Sequence, residues 1–191
     1  MVDNEFLEQF EKYRHEFYAF AQRNVWNTSL AEDVLSAATV SAYEKRHSFR
    51  AGSNFRAWIY KFLVNKCFTA NKQYEHTRLD VEQIEAEIEP ETITVNILQD
   101  PNGFMEHCDD KVVTALGHLR SEERTCFLLL SLGGYSYKEI AGITDMPRAT
   151  VMTHLARGRV KLRRSLVHYA QENGYVPLSD SDTTRTRGGM L

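Results

Sequence analysis

Six side chains within ten residues could read a nucleic acid: Arg148, Thr150, Met152, Thr153, His154 and Arg157. An arginine fork matches guanine edges or phosphate, threonine and histidine bond to base edges, and a thioether can meet a thymine methyl. Arg159, Lys161, Arg163 and Arg164 follow, and residues 146–171 hold six bases and no acid. That run suits a phosphate backbone, where each cation neutralises charge and releases a counterion. A second set lies upstream: Arg56, Trp58, Lys61, Asn65, Lys66 and Lys72. Cations interleaved with aromatic faces can track an exposed strand, although Trp58 and Phe62 read first as core. This is the chemistry of binding.

The rest of the sequence offers little chemistry of another kind. Cys67, Cys108 and Cys126 are scattered and odd in number, which disfavours a disulfide framework and fits a reducing cytoplasm. His107-Cys108-Asp109-Asp110 is a lone acidic cluster whose neighbours cannot all face one ion, so no metal and no cofactor are expected. No phosphate-binding loop, dinucleotide fingerprint or nucleophile elbow occurs, so an enzyme is not expected. No run approaches the ~18 apolar residues of a membrane span, and the acidic start lacks the basic and apolar regions of a secretory signal. The net charge of −3 is wrong for a polyanion binder until the charges are placed along the chain. Residues 45–78 carry eight bases and one acid, and residues 79–110 carry ten acids and no Lys or Arg. With a screening length of about 8–10 Å, the local field decides, not the sum.

Helices must position these groups. Phe6, Phe10, Tyr13, Phe17 and Phe20 recur at steps of 4, 3, 4 and 3, which places five rings on one helical stripe. Ser29 with Glu32 reads as a capping box for a helix over 30–46, with Val34, Leu35, Ala38 and Ala42 on its apolar face. A loop at Arg50-Ala51-Gly52-Ser53 precedes a third helix over 54–73. Beyond residue 75 the periodicity fades among acids and prolines. Helical character returns near Lys111, with Ser121 as the expected cap of a helix that stops at Gly133-Gly134. Ser136 and Glu139 form a second capping box, with Tyr135 expected to staple on Ile140, and Pro147 suits the start of the last helix. A short helix, a turn and a longer basic helix make a helix-turn-helix, whose second helix enters the major groove.

The expected fold is all-α, with two small helical domains and an acidic linker. The first domain spans 1–75 with three to four helices, the linker 76–108 and the helix-turn-helix domain 109–173. Residues 174–191 form a tail expected to be disordered.

These motifs resemble one family closely. Leu119-Arg120-Ser121-Glu122-Glu123-Arg124, then Gly134-Tyr135-Ser136-Tyr137-Lys138-Glu139-Ile140-Ala141, then Met146-Pro147-Arg148-Ala149-Thr150-Val151 look like the C-terminal domain of extracytoplasmic-function (ECF) sigma factors. Ala31-Glu32-Asp33-Val34 and Phe55-Arg56-Ala57-Trp58-Ile59-Tyr60 resemble that family's N-terminal domain, with Asn65 on the asparagine of its I-A-x-N. The two matches cover about two thirds of the chain in the family's order.

The resemblance implies a protein that binds core RNA polymerase and helps open promoter DNA. The N-terminal domain would meet the −10 element through Arg56, Trp58, Lys61, Asn65, Lys66 and Lys72. It would meet the β′ clamp helices through Asp33, Leu35 and Ser36. The C-terminal domain would read the −35 element through the helix at 148–161 and touch the β flap. An anti-sigma factor is an implied partner. Two departures stand out. The family's Q-E-A-F-like run after Asp33 is replaced by Leu35-Ser36-Ala37-Ala38-Thr39-Val40, and its K-S-R by Met152-Thr153-His154. The first keeps open the reading of an interaction protein that has kept the sigma shape and lost polymerase activity; a helix-turn-helix regulator that binds DNA without polymerase, as a dimer on a palindrome, is the rival distinguished by useful affinity for DNA alone. The second implies an altered −35 preference.

Overall fold

The computed structural model describes residues 2–78 and 110–172, and every regular element among them is helical. The linker's body, His107-Cys108-Asp109 and the tail beyond 172 lie outside the described residues.

The aromatic stripe builds the first module. Helix α1 (Asp3–Asn24) buries Phe6, Phe10, Phe17 and Phe20, with Tyr13 packed beside them. Helix α2 (Ala31–Glu44) lays Ala31, Val34, Leu35, Ala38 and Ala42 against α1 and α3. Its small residues allow close approach. The entry to α2 differs from the sequence expectation. Asn27, not Ser29, turns the chain: its Oδ1 accepts from the Ser29 N–H at 3.1 Å and from the Ser29 hydroxyl at 2.8 Å, over a 3₁₀ turn at Thr28–Leu30. Asparagine's amide reaches two residues on more readily than a serine hydroxyl.

Helix α3 (Phe55–Arg78) starts where the Asn54 Oδ1 accepts from the Ala57 N–H at 3.0 Å. It runs past the expected end at 73. The Trp26 indole, donating to Glu75 at 3.2 Å, helps to hold that last stretch. Ile59, Tyr60, Leu63, Val64 and Cys67 form its buried side.

The second module holds α4 (Asp110–Gly117), α5 (Ser121–Ser131), α6 (Tyr137–Thr144) and α7 (Arg148–Glu172). Arg120 rather than Ser121 precedes α5, and its N–H donates to Glu123 Oε2 at 3.0 Å. The hydroxyl of Ser121 accepts instead from the Asn71 amide at 2.9 Å. Gly133 cannot be replaced without rearrangement. A Cβ there would sit 2.4 Å from the Tyr135 ring and 2.6 Å from the Leu129 carbonyl, and Gly134 follows at φ 65°. The turn that these glycines permit carries Tyr135 inward, to 3% exposure. The ring packs edge-on to Tyr60 of α3 at 5.5 Å.

The capping box at α6 is formed as expected. Glu139 accepts from the Ser136 N–H at 2.8 Å and hydroxyl at 2.7 Å. These hydrogen bonds hold the Glu139 carboxyl below its ordinary 4.5. A lowered carboxylate stabilises the fold above the ordinary value, and that contribution is lost as pH falls through the folded one. Ser136→Ala is expected to lower stability by about 1 kcal/mol at neutral pH. A thermal melt checks this, and the difference from the unaltered chain should shrink as Glu139 is protonated.

Cys67 and Cys126 are free and buried, and burial pushes both thiols up to about 12. Few thiolates form there at neutral pH.

Candidate nucleic-acid interface

The candidate surface on α7 follows from its buried stripe. Val151, Leu155, Leu162 and Leu166 face α4, α5 and α6, at steps that keep one side of the helix inward. Gly158 lies on the same inward side, with room for a Cβ 3.6 Å from that of Glu123. The opposite side is therefore fixed outward. Arg148, Met152, Thr153 and Arg157 are exposed on it, Met152 with 48% of its surface open. A large apolar side chain held in water at a helix N-terminal half is unusual beside three polar groups, and it suits a groove with methyl groups. The turn before α7 places it there: Asp145 takes a left-handed φ of 56°, a conformation that aspartate tolerates, and the Met146 N–H donates to the Ala141 carbonyl at 3.2 Å.

The other expected residues of α7 are less free. Thr150 and His154 are half-buried. Arg159 donates to the Tyr137 hydroxyl at 2.9 Å. Lys161 donates to Glu123 Oε2 at 3.0 Å, and that carboxylate is only 2% exposed. Both cations brace α7 on its neighbours, and a phosphate would have to share or displace those bonds. Arg164 is exposed and Arg163 half-buried further along.

On α3, Lys61, Asn65 and Lys72 are exposed at steps of 4 and 7, so they share a face, while Lys66 is half-buried beside it. Trp58 is half-buried among rings: Phe49 at 5.2 Å, Phe62 at 4.9 Å and Phe55 at 5.9 Å. Trp58 is thus packed against the core without being wholly buried. Arg56 is not a free cation. Its Nε donates to Glu16 at 2.7 Å, and the same carboxylate oxygen accepts from the Tyr60 hydroxyl at 2.6 Å. Burial, with Glu16 alongside, pushes the Tyr60 phenol well above 10.

Two cavities border these elements. One, of about 440 Å³, is formed by the loop at Ala51, Gly52, Ser53 and Asn54 with Tyr13, Phe49 and Arg56. Gly52 at φ 82° shapes the loop. Sequence reasoning found the loop and missed the pocket, because Tyr13 reaches it from α1. Asn65 does not line it. The second is an open groove of about 850 Å³ between α1 and α2. Leu35 and Ser36 line it, as do Leu7, Tyr18 and Val40, which sequence reasoning left unassigned. Leu35 itself is mostly core at 6% exposure, whereas Leu7 and Val40 are 52% and 57% exposed. Asp33 is exposed on α2 outside this groove.

The family pattern for sigma-70 region 2 matches residues 9–75, and that for sigma-70 region 4 matches residues 109–162. The ECF RNA polymerase sigma-E factor of Escherichia coli is 30% identical over 152 residues, spanning 78% of this chain and 79% of that protein. The chain belongs to the ECF group of the sigma-70 family. The RNA polymerase sigma-H factor of Pseudomonas aeruginosa is 26% identical over 159 residues, 81% of this chain and 82% of the other. Two solved structures share the sigma fold. The sigma factor RpoE of Bartonella quintana, in complex with the anti-sigma factor NepR, matches with a TM-score of 0.63 and 23% identity over 85% of this chain and 97% of that one. CnrH, in complex with the cytosolic domain of CnrY, matches with a TM-score of 0.61 and 18% identity over 87% and 90%. In sigma terms, α1 to α3 carry region 2 and α4 to α7 carry region 4. Among the described residues no helix is long and apolar enough to cross a membrane.

Proposed function

We propose that this chain is an alternative sigma factor that binds core RNA polymerase and directs initiation at promoters through −10 and −35 recognition. The observation that carries the reading is the outward face of α7. Arg148, Met152, Thr153 and Arg157 stand in water on the first three turns of a helix whose other side is locked into the core. Apart from the Thr153 hydroxyl, which donates to the Ala149 carbonyl at 3.0 Å, they make no hydrogen bond or ion pair among the described residues, and they have the chemistry of base and phosphate contact. Residues 1–75 form the module for the −10 element and residues 109–173 the module for the −35 element, joined through 76–108. Lys61, Asn65, Lys66 and Lys72 follow the opened strand. The pocket at Gly52-Ser53-Asn54 takes an unstacked base against Tyr13 and Phe49. Arg56, held by Glu16, shapes that pocket.

The α1–α2 groove, with Leu7, Leu35, Ser36 and Val40, takes a helical polymerase element, and Asp33 lies on the same helix as Leu35. An anti-sigma factor is a further partner, in keeping with the complexes in which RpoE and CnrH were solved. The protein works in the cytoplasm, where its polymerase is.

The test is selection of genomic fragments that initiate transcription with core polymerase plus this protein. A shared pair of sequence elements upstream of the start sites supports the reading, and fragments without one oppose it. Met152→Lys is expected to shift the recovered −35 consensus at the base pair that Met152 covers and leave the −10 consensus unchanged. An identical −35 consensus would remove Met152 from the reading surface.

A further inference from the structure

Around α7 the side chains sort by chemistry. The inward side is the buried stripe of Val151, Leu155, Gly158, Leu162 and Leu166. Opposite it runs an outer strip at positions 149, 153, 156 and 160, at steps of 4, 3 and 4, with Met152 one turn before Ala156. Ala149, Met152, Thr153, Ala156 and Val160 are all exposed, Met152 by 48% and Val160 by 39%. Between the two sides stand the cations. Arg148, Arg159 and Arg163 take one flank of the helix, and Arg157 and Lys161 take the other.

The outer strip presents carbon. Ala149, Met152, Ala156 and Val160 have no polar hydrogen on their side chains. Thr153 has one, and its hydroxyl donates it to the Ala149 carbonyl at 3.0 Å. That bond draws the oxygen back onto the helix and leaves the γ-methyl outward. Sequence reading gives this threonine a base edge to bond; in the fold its one donor is already engaged. Residues 146–171 carry no acid, so the strip of methyl groups lies between two rows of cations with no opposing charge along it.

A ligand that fits has an apolar floor between two anionic edges. The major groove of DNA takes that form where thymines lie. It is about 12 Å wide and admits one helix about 10–12 Å across, with phosphates along both rims and the thymine C5-methyl on its floor. The flanking cations reach the rims, and the outer strip meets the floor. Amines and carbonyls on that floor would lose water against the strip and gain no partner. A thymine methyl loses nothing and is buried.

We propose that α7 recognises its −35 element by packing Ala149, Met152, Thr153 and Ala156 on thymine methyl groups, with Thr153 contributing its methyl and not its hydroxyl. The proposal rests on the sigma reading for where the helix docks, and on the outer strip alone for what it reads.

The test uses core polymerase, the full chain and a promoter recovered by the selection above. Each thymine of the −35 segment, on either strand, is replaced singly by deoxyuridine, which lacks the C5-methyl and keeps every hydrogen-bonding group. At least one replacement is expected to weaken the complex about fourfold, the effect of one buried methyl group. That loss should be equal at low and high salt, because no phosphate contact changes. Thr153→Ser keeps the hydroxyl and removes the methyl. It should reproduce the loss on thymine DNA and add nothing on the deoxyuridine that replaces its thymine. Thr153→Val keeps the methyl and removes the hydroxyl, and should bind as the unaltered chain does. A −35 segment without thymine, equal binding at every deoxyuridine, or a loss from Thr153→Val with none from Thr153→Ser overturns the proposal. If core polymerase and this chain recover no promoter, the sigma reading fails. The same replacements are then made in a duplex selected by the protein alone, where a loss on deoxyuridine supports methyl reading and equal binding overturns it.

Discussion

Phe17→Ala is expected to lower stability by about 3–5 kcal/mol, which is a large part of what a domain of this size has. Phe17 is wholly buried, with Phe10 at 5.6 Å, Tyr13 at 6.1 Å and Tyr60 edge-on at 5.3 Å. It sits where α1 meets α3. Removing the ring takes away its burial and leaves a hole that three other rings cannot all close, because Tyr60 is held by its hydrogen bond to Glu16. Tm should fall by roughly 6–20 °C by differential scanning calorimetry. Phe17→Leu, which keeps most of the volume, should fall much less. Equal melting of Phe17→Ala and the unaltered chain would mean that α1 is not packed on α3 as described. The functional consequence follows from the same contacts. The pocket at Gly52 and the α1–α2 groove both use α1, so loosening this core should weaken polymerase and strand binding together.

The second large effect is on binding with no effect on folding. Arg148→Ala with Arg157→Ala should leave Tm within about 1 °C, since exposed side chains without partners contribute little to stability. Both are exposed, and neither makes a hydrogen bond or ion pair among the described residues. Two lost contacts to base edges or phosphates at about 1–3 kcal/mol each would weaken −35 DNA binding by the polymerase complex roughly thirtyfold or more. The dependence of affinity on salt should also flatten, with its slope reduced by about 1 for each lost phosphate contact. Anisotropy titrations at several salt concentrations measure both. Unchanged affinity and slope would remove this face of α7 from the interface. Arg159→Ala should behave differently. Its bond to Tyr137 braces α7 on α6, so its loss should lower Tm as well as affinity.

The parts of this molecule that depend on near neighbours were readable in the sequence. The aromatic stripe of α1 and the Ser136–Glu139 box are patterns within one helix turn or two, and both formed. The outward face of α7 follows from the period of Val151, Leu155, Leu162 and Leu166. What was not readable depends on distant partners. Glu16 takes up Arg56 across 40 residues and Glu123 takes up Lys161 across 38, so two cations expected to be free are braced. Ser121 looked like a cap because its local context allows it, but its hydroxyl is spent on Asn71. Leu35 reads as a contact from its place in a motif; the helix period buries most of it while it still lines the α1–α2 groove, and Leu7 and Val40 stand more exposed beside it. Nothing in a linear pattern says that Asn24 and Thr125 will meet, because they lie 101 positions apart.

The most direct measurement is a titration of the labelled protein with core RNA polymerase at several salt concentrations. Saturable, tight, one-to-one binding, weakened by Leu7→Glu or Val40→Glu in the α1–α2 groove, is the expected result. No binding to core polymerase, with binding to duplex DNA intact, would contradict the sigma function and leave a protein that reads DNA alone.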